Sequence, residues 1–365
     1  MNFNYYNPVS IDFGSGSIKH LAAHIGKRNA LLVTSKGFVK RGLITKIQSE
    51  VNGIIHVVSS IKPNPEIKDL KRIYNSLKNI SFDVIVALGG GSVIDSAKVF
   101  SVYNSDQSFQ FVEDILRGKK EISGYNLKPI IAIPTTAGTG SELTPWATVW
   151  DMNEKKKYSL HLPDLFPEVA ICDPELTLTV PKNITIQTGL DTLSHALESI
   201  WNKNASPITI QFAISSAKEI IKTLPLLANN LNSLELRTKI MLSCINAGKA
   251  FSNTATSTAH AISYYITAHK GVSHGVACSF TLPVIIDVLI GKHEWLDKVF
   301  LDIFGELSSS TIKKCFSQLN ISNDIYSYGL TDNEIQQIKL SLEGNIRAKN
   351  GIIDTTELFQ KLLSN

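Results

Sequence analysis

Through its first half the chain repeats one pattern: a short aliphatic run, a turn, then an amphipathic helical stretch. The runs are Ala30–Thr34, Ile54–Val58, Val84–Leu88, Ile130–Ile133 and Val169–Cys172. Most are apolar nearly throughout, where a half-exposed strand would alternate, so they predict parallel strands covered on both faces. Helical spacing in Glu66–Lys78 and Ser92–Val102 supplies the crossovers, and the alternation specifies a doubly wound α/β unit. After the turn-like PELTLTVPKN the strand pattern stops. Ile208–Leu224, Glu235–Phe251 and Asp332–Leu342 keep helical spacing to the end. With 365 residues, about two domains are expected. They are an α/β nucleotide-binding domain over residues 1–178 and an all-helical domain over 179–365.

Composition narrows the functional classes. The chain is 43% hydrophobic and 19% charged with a net charge of +4, which is ordinary for a globular protein. Its longest basic run is Lys155-Lys156-Lys157, so nothing points to nucleic acid. No apolar run approaches the roughly 20 residues that span a bilayer, and MNFNYYNPVS lacks the regions of a signal peptide. Cys172, Cys244, Cys278 and Cys315 form no CxxC pair. Reduced, packed thiols in a cytoplasmic protein are expected, with no membrane partner.

Four residues carry the chemistry of the second half. Asp191 and His195 stand four apart in QTGLDTLSHALES, so a helix projects both from one face. His260 opens HAISYYITAHKGVSH and His274 closes it, followed by glycine. One carboxylate and three imidazoles suit a borderline divalent metal, iron(II) or zinc.

The first half offers a phosphate site. In FDVIVALGGGSVIDSAKVF a strand ends at Leu88, glycines 89–91 permit close backbone approach, and Ser92 begins a helix. Free amides and the positive dipole end at a helix start bind phosphate. Gly90, Gly91, Ser92 and Asp95 are candidate contacts, although Ser92 and Asp95 also read as a capping box that needs no ligand. The loop PTTAGTGSELT crowds Thr135, Thr136, Thr139 and Ser141 around two glycines at the carboxyl end of a strand, where open α/β sheets bind ligands. Asn64, in the turn KPNPE, is a further candidate.

GGGSVIDSAK, PTTAGTGSE, GLDTLSHALE and HAISYYIT…VSHGVACSFTLP occur in the order and spacing of the iron-dependent (group III) alcohol dehydrogenases. The chain resembles that family from around Val9 to at least Pro283. The resemblance implies a Rossmann-like amino-terminal domain, a helical carboxy-terminal domain and a dimer or larger homo-oligomer. It implies hydride transfer between NAD(H) or NADP(H) and a small alcohol or aldehyde, with Fe2+, or Zn2+, on Asp191, His195, His260 and His274. It adds Lys157 to the cofactor contacts.

Departures from the family pattern bear on specificity. Many members carry a proton-relaying histidine where Tyr264 stands, so the phenol either relays a proton or only shapes the pocket. Ser35 replaces an aspartate that would repel a 2′-phosphate, which permits NADP(H). Lys249 stands where many relatives have a small or apolar residue, and that segment looks most like the phosphonoacetaldehyde reductases. Lys249 is therefore expected either to meet an anionic substrate or to reach solvent. Dehydroquinate synthase-like lyase chemistry, using NAD transiently, is the alternative.

Overall fold

The computed structural model describes residues 2–119, 123–154 and 156–364; Lys155 of the basic run lies outside them. Two compact units emerge, one formed by Pro8–Thr136 with Ser141–Thr177, the other by Met1–Asn7, Ala137–Gly140 and Leu178–Asn365.

The first unit holds strands β1 (Ser10–Phe13), β2 (Ala30–Thr34), β3 (Ile54–Val58), β4 (Val84–Gly89), β5 (Val102–Tyr103), β6 (Asn126–Leu127), β7 (Ile130–Pro134), β8 (Trp146–Asp151), β9 (Lys156–His161) and β10 (Val169–Cys172). Six of them form one parallel sheet in the order β1-β10-β7-β4-β2-β3. Their continuous apolarity has a direct cause. Leu31, Val33, Ile85, Ala87, Ile130 and Ala132 enter a core with the helix Ile67–Leu77. The intervening Ala30, Leu32, Val84, Val86, Ile131 and Ile133 enter a second core on the opposite face. Both faces are covered, so neither set tolerates a polar residue.

The chain reverses direction across the sheet between β2 and β4, where Thr34 lies in register with Leu88. The segments leaving these strands, Ser35 after β2 and Gly90-Gly91 after β4, therefore emerge at a topological switch point. β8 and β9 form a separate antiparallel hairpin. Along β8, Ala147, Val149 and Asp151 are buried in alternation with their neighbours, the period of a strand.

The second unit is helical. Lys182–Ile200, Pro207–Asn229 and Leu234–Thr254 pack against one another, followed by Thr258–Lys270 and the short His274–Ala277. Among the described residues no helix is long and apolar enough to cross a membrane. All four cysteines are buried thiols, none of them in a disulfide.

Candidate metal centre and nucleotide site

The helix Lys182–Ile200 is buried continuously from Gly189 to Ile200, and it presents Asp191 and His195 one turn apart. His195 Nε2 lies 3.7 Å from Asp191 Oδ1. His260, in the first turn of Thr258–Lys270, brings Nε2 to 3.5 Å from the same oxygen, and His274 brings its Nε2 to 3.8 Å. The four candidate ligands thus meet around one carboxylate oxygen. His195 is held between two rings, stacking on Phe251 at 4.0 Å and on His260 at 4.7 Å between centroids. The glycine after His274 also has a packing reason. A Cβ on Gly275 would lie 1.8 Å from the Gln187 carbonyl oxygen, so only glycine lets that turn seat against the Asp191 helix.

A residue the sequence reading missed orients the group. Glu198, fully buried, accepts from His260 Nδ1 at 2.5 Å, from the Ala259 amide at 2.6 Å and from the Ser257 hydroxyl at 3.0 Å. Seven residues beyond Asp191, it shares that residue's helix face, a spacing visible in the sequence. Burial would raise the Glu198 pKa, but the neighbouring His260 charge and these hydrogen bonds hold it below the usual carboxylate range. Burial likewise opposes ionisation of Asp191, yet His195, His260 and His274 keep it lowered. Burial pushes His195 down to about 4. His260 is raised to about 9, because Glu198 and Asp191 outweigh its burial.

The donor set fits a divalent cation. His260 Nε2 is buried without a hydrogen-bond partner, while its Nδ1 is committed to Glu198, which leaves the unpartnered atom as the ligand. A second grouping competes: ligand atoms of Asp191, His260, His274 and Cys278 lie within 4.8 Å of one another, and that set omits His195. Chemistry favours the imidazole. Burial pushes the Cys278 thiol well up, and its S–H donates to Asp191 Oδ1 at 3.5 Å, so it is costlier to deprotonate for a cation than an imidazole that burial already holds neutral.

Tyr264 lies beside this group, its ring stacked on His274 at 6.3 Å. Lys249 does not join it. The Lys249 ammonium sits 5.3 Å from the centroid of the Phe212 ring, and no hydrogen bond or ion pair links it to the histidines among the described residues.

In the first unit, Gly90 is the N-cap of the helix Gly91–Ser101. A Cβ on Gly90 would come 3.0 Å from the Thr136 hydroxyl, and the Thr135 amide donates to Gly89 O at 3.0 Å. Asn64, in a left-handed conformation with φ 54°, donates its amide to Ser92 Oγ at 3.3 Å. The expected Ser92–Asp95 capping box does not form, because the helix starts one residue earlier and Ser92 is already inside it. Asp95 instead accepts from Ser141 Oγ at 2.6 Å and from the Thr148 amide at 2.9 Å. Lys98, one turn further and fully buried, donates to the carbonyls of Ser141, Thr144 and Trp146 at 2.6–2.7 Å. This pair fastens the segment beginning at Ser141 and was not anticipated. Ser35 is the N-cap of Lys36–Lys40 without a side-chain capping bond. Lys157, on β9, pairs with Trp150 and contributes to the potential at Asp95. Thr139 belongs to Ala137–Gly140 of the helical unit, where the Gly138 carbonyl accepts from Thr192 at 3.4 Å.

Comparison with known proteins agrees with this arrangement. Residues 8–174 match the family "Iron-containing alcohol dehydrogenase", and residues 185–346 match "Fe-containing alcohol dehydrogenase family, C-terminal". The chain is 31% identical over 302 residues to the NAD-dependent methanol dehydrogenase of Bacillus methanolicus, covering 80% of this chain and 77% of that protein. The crystal structure of sulfoacetaldehyde reductase from Bifidobacterium kashiwanohense in complex with NAD+ superposes with a TM-score of 0.91 at 29% identity, covering 100% of this chain and 98% of the other. An iron-containing alcohol dehydrogenase from Thermotoga maritima gives 0.81 at 28% identity, with coverage of 100% and 99%. The chain belongs to the iron-containing alcohol dehydrogenase family. It is an oxidoreductase of that family, and the lyase alternative is not favoured.

Proposed function

We propose that the chain reduces a small aldehyde, or oxidises the corresponding alcohol, with NAD(H) and a divalent iron held by Asp191, His195, His260 and His274. The observation that carries this reading is the convergence of three imidazole Nε2 atoms on Asp191 Oδ1 at 3.5–3.8 Å. Zinc suits the same ligands, and metal availability decides between them.

When bound, the cation supplies Lewis acidity to the substrate oxygen, and the nicotinamide supplies the hydride. The protein does the rest. Glu198 holds the proton on His260 Nδ1, so that Nε2 is the nitrogen that gives up its proton and offers a lone pair to the cation. The Ser263 hydroxyl lies 3.5 Å from His274 Nδ1 and turns that ring. Tyr264 holds a phenolic proton beside His274. The amides opening Gly91–Ser101 bind the pyrophosphate, as the sequence motif implies. Around them Ser92, Asn64, Thr135 and Thr136 line the cofactor, with Thr139 and Lys157 completing the proposed set. Asp95 and Ser141 act by shaping that loop. The absence of a carboxylate at Ser35 lets NADPH be accepted alongside NADH.

The substrate proposed is a two-carbon aldehyde with an anionic head group. Phosphonoacetaldehyde is suggested by the segment around Lys249, and the sulfoacetaldehyde of the Bifidobacterium relative is its sulfonate counterpart. Metal content and aldehyde-dependent NADH oxidation test the reading together. Asp191→Ala should abolish both, and a variant that kept full metal and full rate would refute the assignment.

A further inference from the structure

Arg347 is a cation with no counter-ion among the described residues, and it stands beside the candidate metal centre. Its Nη1 donates to the Tyr264 hydroxyl at 2.5 Å and to Thr256 Oγ1 at 3.2 Å. Its guanidinium carbon lies 5.5 Å from the centroid of the Tyr264 ring, whose other neighbour is the His274 ring. Arg347 is half-buried and makes no ion pair with a carboxylate among the described residues. Partial burial of an unpaired charge is costly, so the site is built to receive a negative group.

Its surroundings are rigid. Thr256 is buried and follows Ala255, a non-glycine residue held at φ 59°, ψ 178°. That conformation is strained for a residue with a Cβ and persists only where neighbours enforce it. Here Asn202 donates to the Ala255 carbonyl at 3.2 Å, and the Thr254 hydroxyl donates to it at 2.9 Å. The Tyr264 oxygen accepts from Arg347, which ties the phenol to the guanidinium. Guanidinium, phenol and threonine hydroxyl together form a donor cluster for an oxyanion.

The geometry points to Arg347, with Tyr264 and Thr256, as the group that binds the anionic head of the substrate. The inference rests on the proposed reductase reading and names the residue that sets its substrate class. A planar guanidinium takes a tetrahedral phosphonate or sulfonate equally well. One ring step of 6.3 Å separates Tyr264 from His274, matching a short link between carbonyl oxygen and oxyanion. Lys249, occupied with Phe212, is not needed for this role.

Initial rates with the iron-loaded enzyme and NADH provide the test, comparing phosphonoacetaldehyde and sulfoacetaldehyde with uncharged propanal. Arg347→Met should lower kcat/KM for the anionic aldehydes roughly 10- to 100-fold, chiefly through KM, and lower that for propanal by much less. Arg347→Lys should recover part of the loss. Tyr264→Phe, which removes one hydroxyl, should shift the anionic substrates in the same direction by less. Whichever anionic aldehyde has the higher kcat/KM in the wild type identifies the head group. Calorimetry of ethylphosphonate and ethanesulfonate with metal-free protein reads the site independently of turnover, and binding should vanish in Arg347→Met. An equal loss on propanal, no loss on the anions, or no anion binding by the wild type would overturn the inference. If the wild type reduces no aldehyde at all but binds ethylphosphonate through Arg347, the reductase reading falls and the anion site stands.

Discussion

Glu198 and His260 form the hydrogen bond that decides how the candidate metal centre works: His260 Nδ1–H donates to a fully buried carboxylate at 2.5 Å, which turns Nε2 toward Asp191. Replacing Glu198 with glutamine keeps the shape and removes the charge. Metal affinity should fall roughly 10- to 100-fold, measured by competition with a chromophoric chelator, while circular dichroism reports an intact fold. Unchanged affinity would show that the carboxylate does not orient the ligand.

The same contact couples metal uptake to pH. With His260 raised to about 9, its imidazolium competes with the cation at neutral pH and releases a proton on binding. The sign follows: protonation, hence competition, grows as pH falls below the raised value. Apparent affinity should rise about tenfold per pH unit from 7 toward 8.5 and level off near 9. In Glu198→Gln the slope should flatten. A pH-independent affinity in the wild type would contradict the account.

Gly275→Ala tests the seating of His274 without touching a ligand. The added Cβ would meet the Gln187 carbonyl oxygen at 1.8 Å, so the turn must move and carry His274 away. Loss of bound metal, measured by atomic emission with the fold retained, is the expected result. Full metal content would mean that His274 is dispensable.

Lys98 donates to three carbonyls and neighbours Asp95. Lys98→Met leaves a buried carboxylate uncompensated and should cost about 3–5 kcal/mol, with a raised KM for NADH as the Ser141 segment loosens. Adding Asp95→Asn should recover part of the stability. Chemical denaturation of the single and double variants checks both statements.

Ser35 governs the choice of nicotinamide. Ser35→Asp places a carboxylate at the carboxyl end of β2 and should reduce kcat/KM for NADPH relative to NADH roughly tenfold or more. An unchanged ratio would remove Ser35 from the cofactor site.

Much of this was legible from residues alone, for reasons that differ by element. Ala30–Thr34 and Val169–Cys172 announced themselves because both faces are covered, and with the edge strand Ile54–Val58 they begin and end as read. Helical spacing put Asp191 and His195 on one face, and joining His260 and His274 to them was what the family resemblance implied. The β8–β9 hairpin has no continuous apolar run of the kind that marks the main sheet, and the alternating burial of Ala147, Val149 and Asp151 appears only in the structure. The sequence left Asp95 open between a ligand contact and a capping box, and the helix start at Gly91 excludes the box. Arg347 had no local signal. Its place beside Tyr264, 83 residues away in sequence, is a product of tertiary packing.

The most direct test of the central claim is an anomalous difference map of iron-loaded crystals at the iron absorption edge. The account predicts a single peak about 2.0–2.2 Å from an Asp191 oxygen and from the Nε2 atoms of His195, His260 and His274. No peak there, or one bound through Cys278 Sγ with His195 turned away, would contradict it.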